Sequence, residues 1–347
     1  MKFSKKAGLI WALLLFACVI VYSASVFGAQ SDSPIEARHL GLVINSRDAQ
    51  SKALGEYYIK RRKIPAENVI YVRFLPSANT ITQKQFAAQK ALVDKATPSH
   101  IQAYALAWTT PYRVDCMSIT SAFAFGFNKD FCAKGCKPTQ SSSYFNSSSH
   151  RPWNNHHVRP TMMLAGKTLD DAKKLIDRGI KADATYPSGT AYLLSTSDKA
   201  RNTRARFYKL ADKQFGKRFK IKLLERDTLR KKEDVFFYFI GLKHVKGLKS
   251  LSFLPGAVAD HLTSTGGVLT SKKGQMSALR WLDAGATASY GAVVEPCNFP
   301  QKFPNPVVVM GHYLHGDSLI EAYWKSVAWP GQGVFIGEPL ASPFRLF

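Results

Sequence analysis

The sequence predicts an α/β protein, with mainly parallel sheet flanked by helices and two α/β halves in tandem. Two observations carry this. From His39 onward, short apolar runs alternate with amphipathic helical stretches, and after a polar interruption the same alternation resumes near Thr190. Alternation of this kind implies right-handed βαβ units. A third observation places chemistry on that frame: residues 277–297, SALRWLDAGATASYGAVVEPC, read as a helix, a glycine turn, a buried strand and a polar cluster with a cysteine.

In the first half (38–165), HLGLVIN (39–45) is an apolar strand ending at Asn45 and Ser46. Ser46 is a candidate cap for a helix running to Lys63, closed by Ile64 and Pro65. NVIYVRF (68–74) is the next strand, and Thr82 with Gln85 forms a capping-box signature for a helix to about Ala96. QAYALAWT (102–109) is the third strand. Residues 117–160, rich in Ser, Asn, Phe and Gly, hold no sustained period and read as a long insertion, a lid or binding loop.

The second half spans 166–347. Thr168 to Gly179 is amphipathic, with Leu169, Ala172 and Ile176 on one face. TAYLLST, a basic helix from about Asp198, FKIKLLE, DVFFYFIG and LSFLPGAVADHL follow as alternating elements. A helix within 311–327 and the strand GVFIGEP (333–339) close the chain.

Lys2, Lys5 and Lys6 precede an uncharged run from Ala7 to Ser31, the pattern of an export signal over residues 1–28 with cleavage before Ala29. The run is also long enough for an uncleaved inner-membrane anchor, and Leu15 to Cys18 faintly resembles a lipoprotein box. The expected location is periplasmic or extracellular. Net charge is +24, and +21 without the three signal lysines, which predicts attraction to polyanions. For an exported protein those are anionic envelope lipid or polysaccharide rather than nucleic acid.

Beyond Cys18 there are four cysteines, Cys116, Cys132, Cys136 and Cys297, an even number in an oxidising compartment. Their short spacing favours Cys132 with Cys136 as a local clip, leaving Cys116 and Cys297 either bridged or free. A zinc reading of Cys132 and Cys136 with His150, His156 and His157 is weakened by the long gap to His150. No metal is expected there. Neither a P-loop nor a dinucleotide fingerprint is present, so no cofactor is expected either.

TTPYRVDCMSITSAFAFGF, LPGAVADHLTSTGG, ALRWLDAGATASYGAVVEPCNFPQKFP and EAYWKSVAWPGQGVFIGEPLASPF together resemble an uncharacterised family of exported bacterial proteins. At greater distance the second half is similar to gingipain-type, caspase-like cysteine peptidases, with Gly337-Glu338-Pro339 resembling their late Gly-Asp-Pro signature. The resemblance implies a caspase-like second half. The chain departs from it at the dyad. Gly241-Leu242-Lys243-His244 stands where the peptidases carry a glycine followed directly by His-Gly, and Pro255-Gly256 stands where they carry the nucleophilic cysteine.

If the strands ending near 240, 261 and 293 are parallel neighbours, then His244, Asp260, His261, Glu295 and Cys297 converge on one sheet edge as a candidate catalytic group. A thiolate nucleophile needs a base beside it, here His244, His312 or His315. The competing reading of Cys297 is a structural disulfide. Asp260 and His261, followed by Thr263, Ser264 and Thr265, offer a hydroxyl nucleophile or simply a capped turn. Separately, residues 199–232 hold fourteen Lys or Arg against three acids, and Arg206, Lys209, Lys213 and Lys217 recur at helical spacing as a candidate anion-binding face. Three functions follow: a non-peptidase or degenerate relative of gingipain-like peptidases, a cysteine hydrolase using Cys297, or a binding module for anionic envelope polymer.

Overall fold

The protein is described by a computed structural model covering residues 33–345 except 134, 272 and 273. The export-signal reading, residues 1–28, lies outside the described residues. The described residues from 34 onward belong to a single compact unit.

Among the described residues the strands are β1 (Leu40–Asn45), β2 (Val69–Val72), β3 (Thr80–Ile81), β4 (Ala103–Leu106), β5 (Arg113–Val114), β6 (Met117–Ser118), β7 (Thr161–Met163), β8 (Thr190–Ser195), β9 (Lys220–Glu225), β10 (Lys232–Ile240), β11 (Leu251–His261), β12 (Ala288–Ala292) and β13 (Gly333–Gly337). The helices are α1 (Ala49–Arg62), α2 (Gln83–Ala96), α3 (Ile119–Phe125), α4 (Pro152–His156), α5 (Leu169–Ala182), α6 (Tyr208–Phe215), α7 (Leu279–Asp283), α8 (Pro306–Leu314) and α9 (Leu319–Lys325).

Ten strands form one sheet in the order β2-β1-β4-β7-β13-β12-β11-β10-β8-β9, and β3, β5 and β6 form a small second sheet. In the large sheet, β12 and β13 pair antiparallel and every other neighbouring pair is parallel. The sheet is therefore two five-stranded parallel blocks of opposite polarity, sewn together at β12 and β13. The last strand, β13, lies in the block of the first half. As a result, the carboxyl ends of β1, β4 and β7 lie on one edge and those of β8, β10 and β11 on the other.

Strand periodicity explains why both faces are dry. Leu42 and Ile44 of β1 pack on one face and Val43 on the other, just as Phe237 and Phe239 of β10 oppose Tyr238 and Ile240. Alternate side chains feed separate cores, as expected for parallel strands covered on both sides. Local signals place the helices. Thr82 and Gln85 make the expected capping box, and Thr168 makes one with Asp171. For α1 the cap is Asp48 rather than Ser46, because Asp48 accepts the Gln50 amide while the Ser46 hydroxyl turns back to the Val72 carbonyl. The helix expected within 311–327 is two, α8 and α9, separated by Gly316 at a φ of 98°.

The insertion 117–160 is pinned rather than free to swing as a lid. Ser142 and Asn146 donate backbone N–H groups to the Ala328 and Lys325 carbonyls, and His150 pairs with the fully buried Glu321 at 2.7 Å. The disulfides fix it further. The expected Cys132–Cys136 clip does not form: Cys116 bonds Cys132 and Cys136 bonds Cys297, with Cα separations of 5.8 and 5.3 Å. The loop around Cys132 and Cys136 runs between two neighbours, so each cysteine meets a partner from a different segment. The Cys136–Cys297 bridge spans 161 residues and ties the insertion to the loop after β12.

Candidate functional site

β10, β11 and β12 are neighbours and parallel, which meets the condition posed from the sequence, so the residues after them reach one edge. What they form there is structure rather than a reactive group. Cys297 is half-buried, with its sulfur in the bond to Cys136 and its amide donated to Glu295 Oε1 at 2.7 Å. A disulfide sulfur has no thiolate to offer, so Cys297 is not a resting nucleophile. Glu295 and His244 are exposed on this edge.

His261 is 1% exposed, with both ring nitrogens engaged: Nε2 donates to the Met276 carbonyl at 3.0 Å and Nδ1 accepts the Trp281 indole N–H at 2.9 Å. Burial drives its pKa down to about 3, and the positive charges of Arg204 and Arg201 act in the same direction. It is a neutral imidazole with no free lone pair for proton abstraction. Asp260, also 1% exposed, pairs with Arg204 at 2.5 Å and accepts the Tyr323 hydroxyl at 3.0 Å. Burial raises its pKa against the pull of Arg204. Thr263 and the Thr265 amide both donate to Gln275 Oε1. The polar pair Asp260-His261 thus satisfies the core instead of facing solvent.

Each parallel block has a point where the strand order reverses. In the second block it lies between β8 and β10, and the chain plugs it. Thr196 Oγ1 donates to the Gly241 carbonyl, Arg204 donates to the Ile240 carbonyl at 3.1 Å, and a Cβ on Gly241 would stand 1.9 Å from the Arg201 carbonyl oxygen. Only glycine allows that approach.

In the first block the reversal lies between β1 and β4, and it is open. A crevice of about 440 Å³ sits beyond the ends of β1, β4 and β7. Leu54, Leu169, Ala172, Leu269 and Leu279 make its apolar floor. Its rim carries Asp48, Thr109, Thr110, Lys167, Thr168 and Thr270. Thr109 Oγ1 donates to the Gly166 carbonyl at 2.8 Å and accepts the Gly166 amide at 3.0 Å, fixing the β4 and β7 loops to each other. Lys167 pairs with Asp283. A crevice at a reversal point, outside strand carboxyl ends, is where open α/β sheets hold small ligands. Sequence reasoning missed it, although the polar tripeptides after two predicted strands, Ser46-Arg47-Asp48 and Thr109-Thr110-Pro111, were a usable signal.

Arg206, Lys209, Lys213 and Lys217 are all exposed, on the 3₁₀ turn Asn202–Phe207, on α6 and just beyond it. Tyr208, Ala211 and Phe215 are the buried residues of α6.

No protein-family model matches the chain, and no curated protein matches it in sequence. The chain is similar at a distance to solved structures, among them these two. One is a complex of the Porphyromonas gingivalis RgpB pro- and mature domains, at 9% identity and a TM-score of 0.47 over 88% of this chain and 79% of that one. The other is described as the structure of a protease, at 11% identity and a TM-score of 0.42 over 92% of this chain and 81% of that one. At such identities neither likeness assigns an activity.

Proposed function

We propose that this is an exported cell-envelope protein that binds rather than cleaves, a non-peptidase or degenerate relative of the gingipain-like group its sequence resembles. The observation that carries the reading is the Cys136–Cys297 bond, which removes the only cysteine standing after a strand of the candidate edge. The engagement of both His261 ring nitrogens and the burial of Asp260 against Arg204 support it. Two disulfides among the described residues fit an oxidising compartment, and no described helix is long and apolar enough to cross a membrane. The crevice beyond β1 and β4 is where a small ligand would sit.

The test combines a peptide-substrate library with an electrophilic thiol probe on the purified, non-reduced protein. The expected result is neither cleavage nor labelling. Cleavage that disappears in both Cys297→Ala and His244→Ala would establish a cysteine hydrolase and overturn the proposal. A ligand-observed NMR fragment screen, repeated on Gln50→Trp to narrow the crevice, should give hits that the variant loses.

A further inference from the structure

At the far end of the sheet, the edge strand β9 and the helix α6 leave open a groove of about 700 Å³. Its walls are aromatic and aliphatic: Phe215, Phe219, Phe344, Leu314 and Tyr186. Its charged groups are the cations Arg218 and Lys220 on the lip, with Ser188 and His315 as further polar groups, and no acidic side chain lines it among the described residues. Lys220 has a loose contact with Asp234 at 3.5 Å, and Arg218 forms no ion pair with any described residue.

The surface around the groove has the same two-part character. Of the large apolar side chains left exposed, Tyr186 (49%), Leu210 (50%) and Leu223 (39%) lie on the lip, on α6 and on β9. Leu210 on α6 stands among Lys209, Lys213 and Lys217, with Asp212 as the acid between them, all exposed. Either feature alone is ordinary, since charged faces are solvated and single exposed leucines are common. Together they put cations along the lip of an apolar slot, and the ligand complementary to that has an anionic head on an apolar body.

We propose that the groove takes an acyl chain of an anionic envelope lipid, with the chain along Phe215, Phe219 and Phe344 and the headgroup held by Arg218 and Lys220. The lysines of α6 add adsorption to the surrounding negative surface. Basic residues near an anionic leaflet contribute additively to such adsorption, and an apolar insertion adds a component that salt does not screen. Lipid binding here does not depend on whether the opposite edge is catalytic, so each proposal can fail alone.

The experiment titrates dodecyl phosphate against the purified protein by isothermal calorimetry and measures co-sedimentation with phosphatidylglycerol and phosphatidylcholine vesicles. We expect saturable dodecyl phosphate binding that inorganic phosphate does not match, and sedimentation with the anionic vesicles only. Ser188→Trp, an exposed lining position, should weaken dodecyl phosphate binding at least tenfold by filling the slot. Arg218→Glu with Lys220→Glu, both exposed, should do the same by removing the head contacts. Arg206→Glu, Lys209→Glu and Lys213→Glu together should reduce vesicle sedimentation while leaving the dodecyl phosphate affinity within about twofold. Equal binding of inorganic phosphate, equal sedimentation with both vesicle types, or Ser188→Trp behaving as wild type would overturn the proposal.

Discussion

Arg62, at the end of α1, holds Glu338, the residue after β13, through both carboxylate oxygens: Nε donates to Oε1 at 3.0 Å and a terminal nitrogen reaches Oε2 at 2.5 Å. Glu338 is fully buried, the Tyr58 hydroxyl donates to it at 2.7 Å, and Arg62 also pairs with Asp183. The first helix and the last strand are thereby fastened across 276 residues of chain. The Glu-Pro pair that resembles a peptidase signature is here a structural clamp.

Removing one partner strands a buried charge. Arg62→Met should therefore destabilise the fold by about 3–5 kcal/mol, and Arg62→Met with Glu338→Gln by less than the two single changes added together. Urea unfolding of the three variants measures this. Additive losses would mean that the two side chains do not act as a pair.

The cysteine pairing is directly measurable. Peptide mapping under non-reducing conditions should recover Cys116 with Cys132 and Cys136 with Cys297, and no free thiol among the four. Closing a long loop restricts the unfolded chain, so Cys136→Ser with Cys297→Ser should cost about 2–5 kcal/mol. Recovery of a Cys132–Cys136 peptide would refute the pairing.

His261 gives the protein an acid sensitivity of predictable sign. Burial holds its folded pKa at about 3, whereas an unfolded histidine titrates near 6.5, so on acidification the unfolded chain binds the proton first. The contribution to stability is complete above about pH 6.5 and shrinks as the pH falls toward 3, by roughly a few kcal/mol in all. His39, held at about 4 mainly by burial, acts in the same direction. NMR of the His261 ring should show the neutral Nε2–H form at pH 5; a charged ring at that pH in folded protein would contradict the geometry.

Gly291 of β12 packs against the backbone of Gly266 and Gly267, where a Cβ would stand 2.3 Å from the Gly266 carbonyl carbon. Backbone cannot move aside as a flexible side chain can. Gly291→Ala should lower stability by about 1–3 kcal/mol or more, read from the thermal midpoint. An unchanged midpoint would show that the 262–278 segment yields.

The sequence alone determined most of the main elements. Short apolar runs marked β1, β8, β10 and β11, Thr82 with Gln85 marked a helix start, and the apolar spacing after Thr168 marked α5, because these signals act between nearby residues. The short β6, α3 and α4 within 117–160 left no such signal. The sequence left the parallel adjacency of β10, β11 and β12 as a condition, and the sheet order meets it. The tertiary structure alone decided what their polar ends do. Asp260 and His261 read as solvent-facing chemistry, yet Arg204 and Tyr323, up to 63 residues away, pair with Asp260, while Met276 and Trp281 hold the two ring nitrogens of His261. The same holds for Cys297, whose partner lies 161 residues back. Return of β13 into the first block reversed the sheet's polarity and left the crevice beyond β1 and β4 on the opposite edge. Strand order, long-range pairing and which gap stays unfilled depend on contacts between distant segments, and local periodicity holds no record of them.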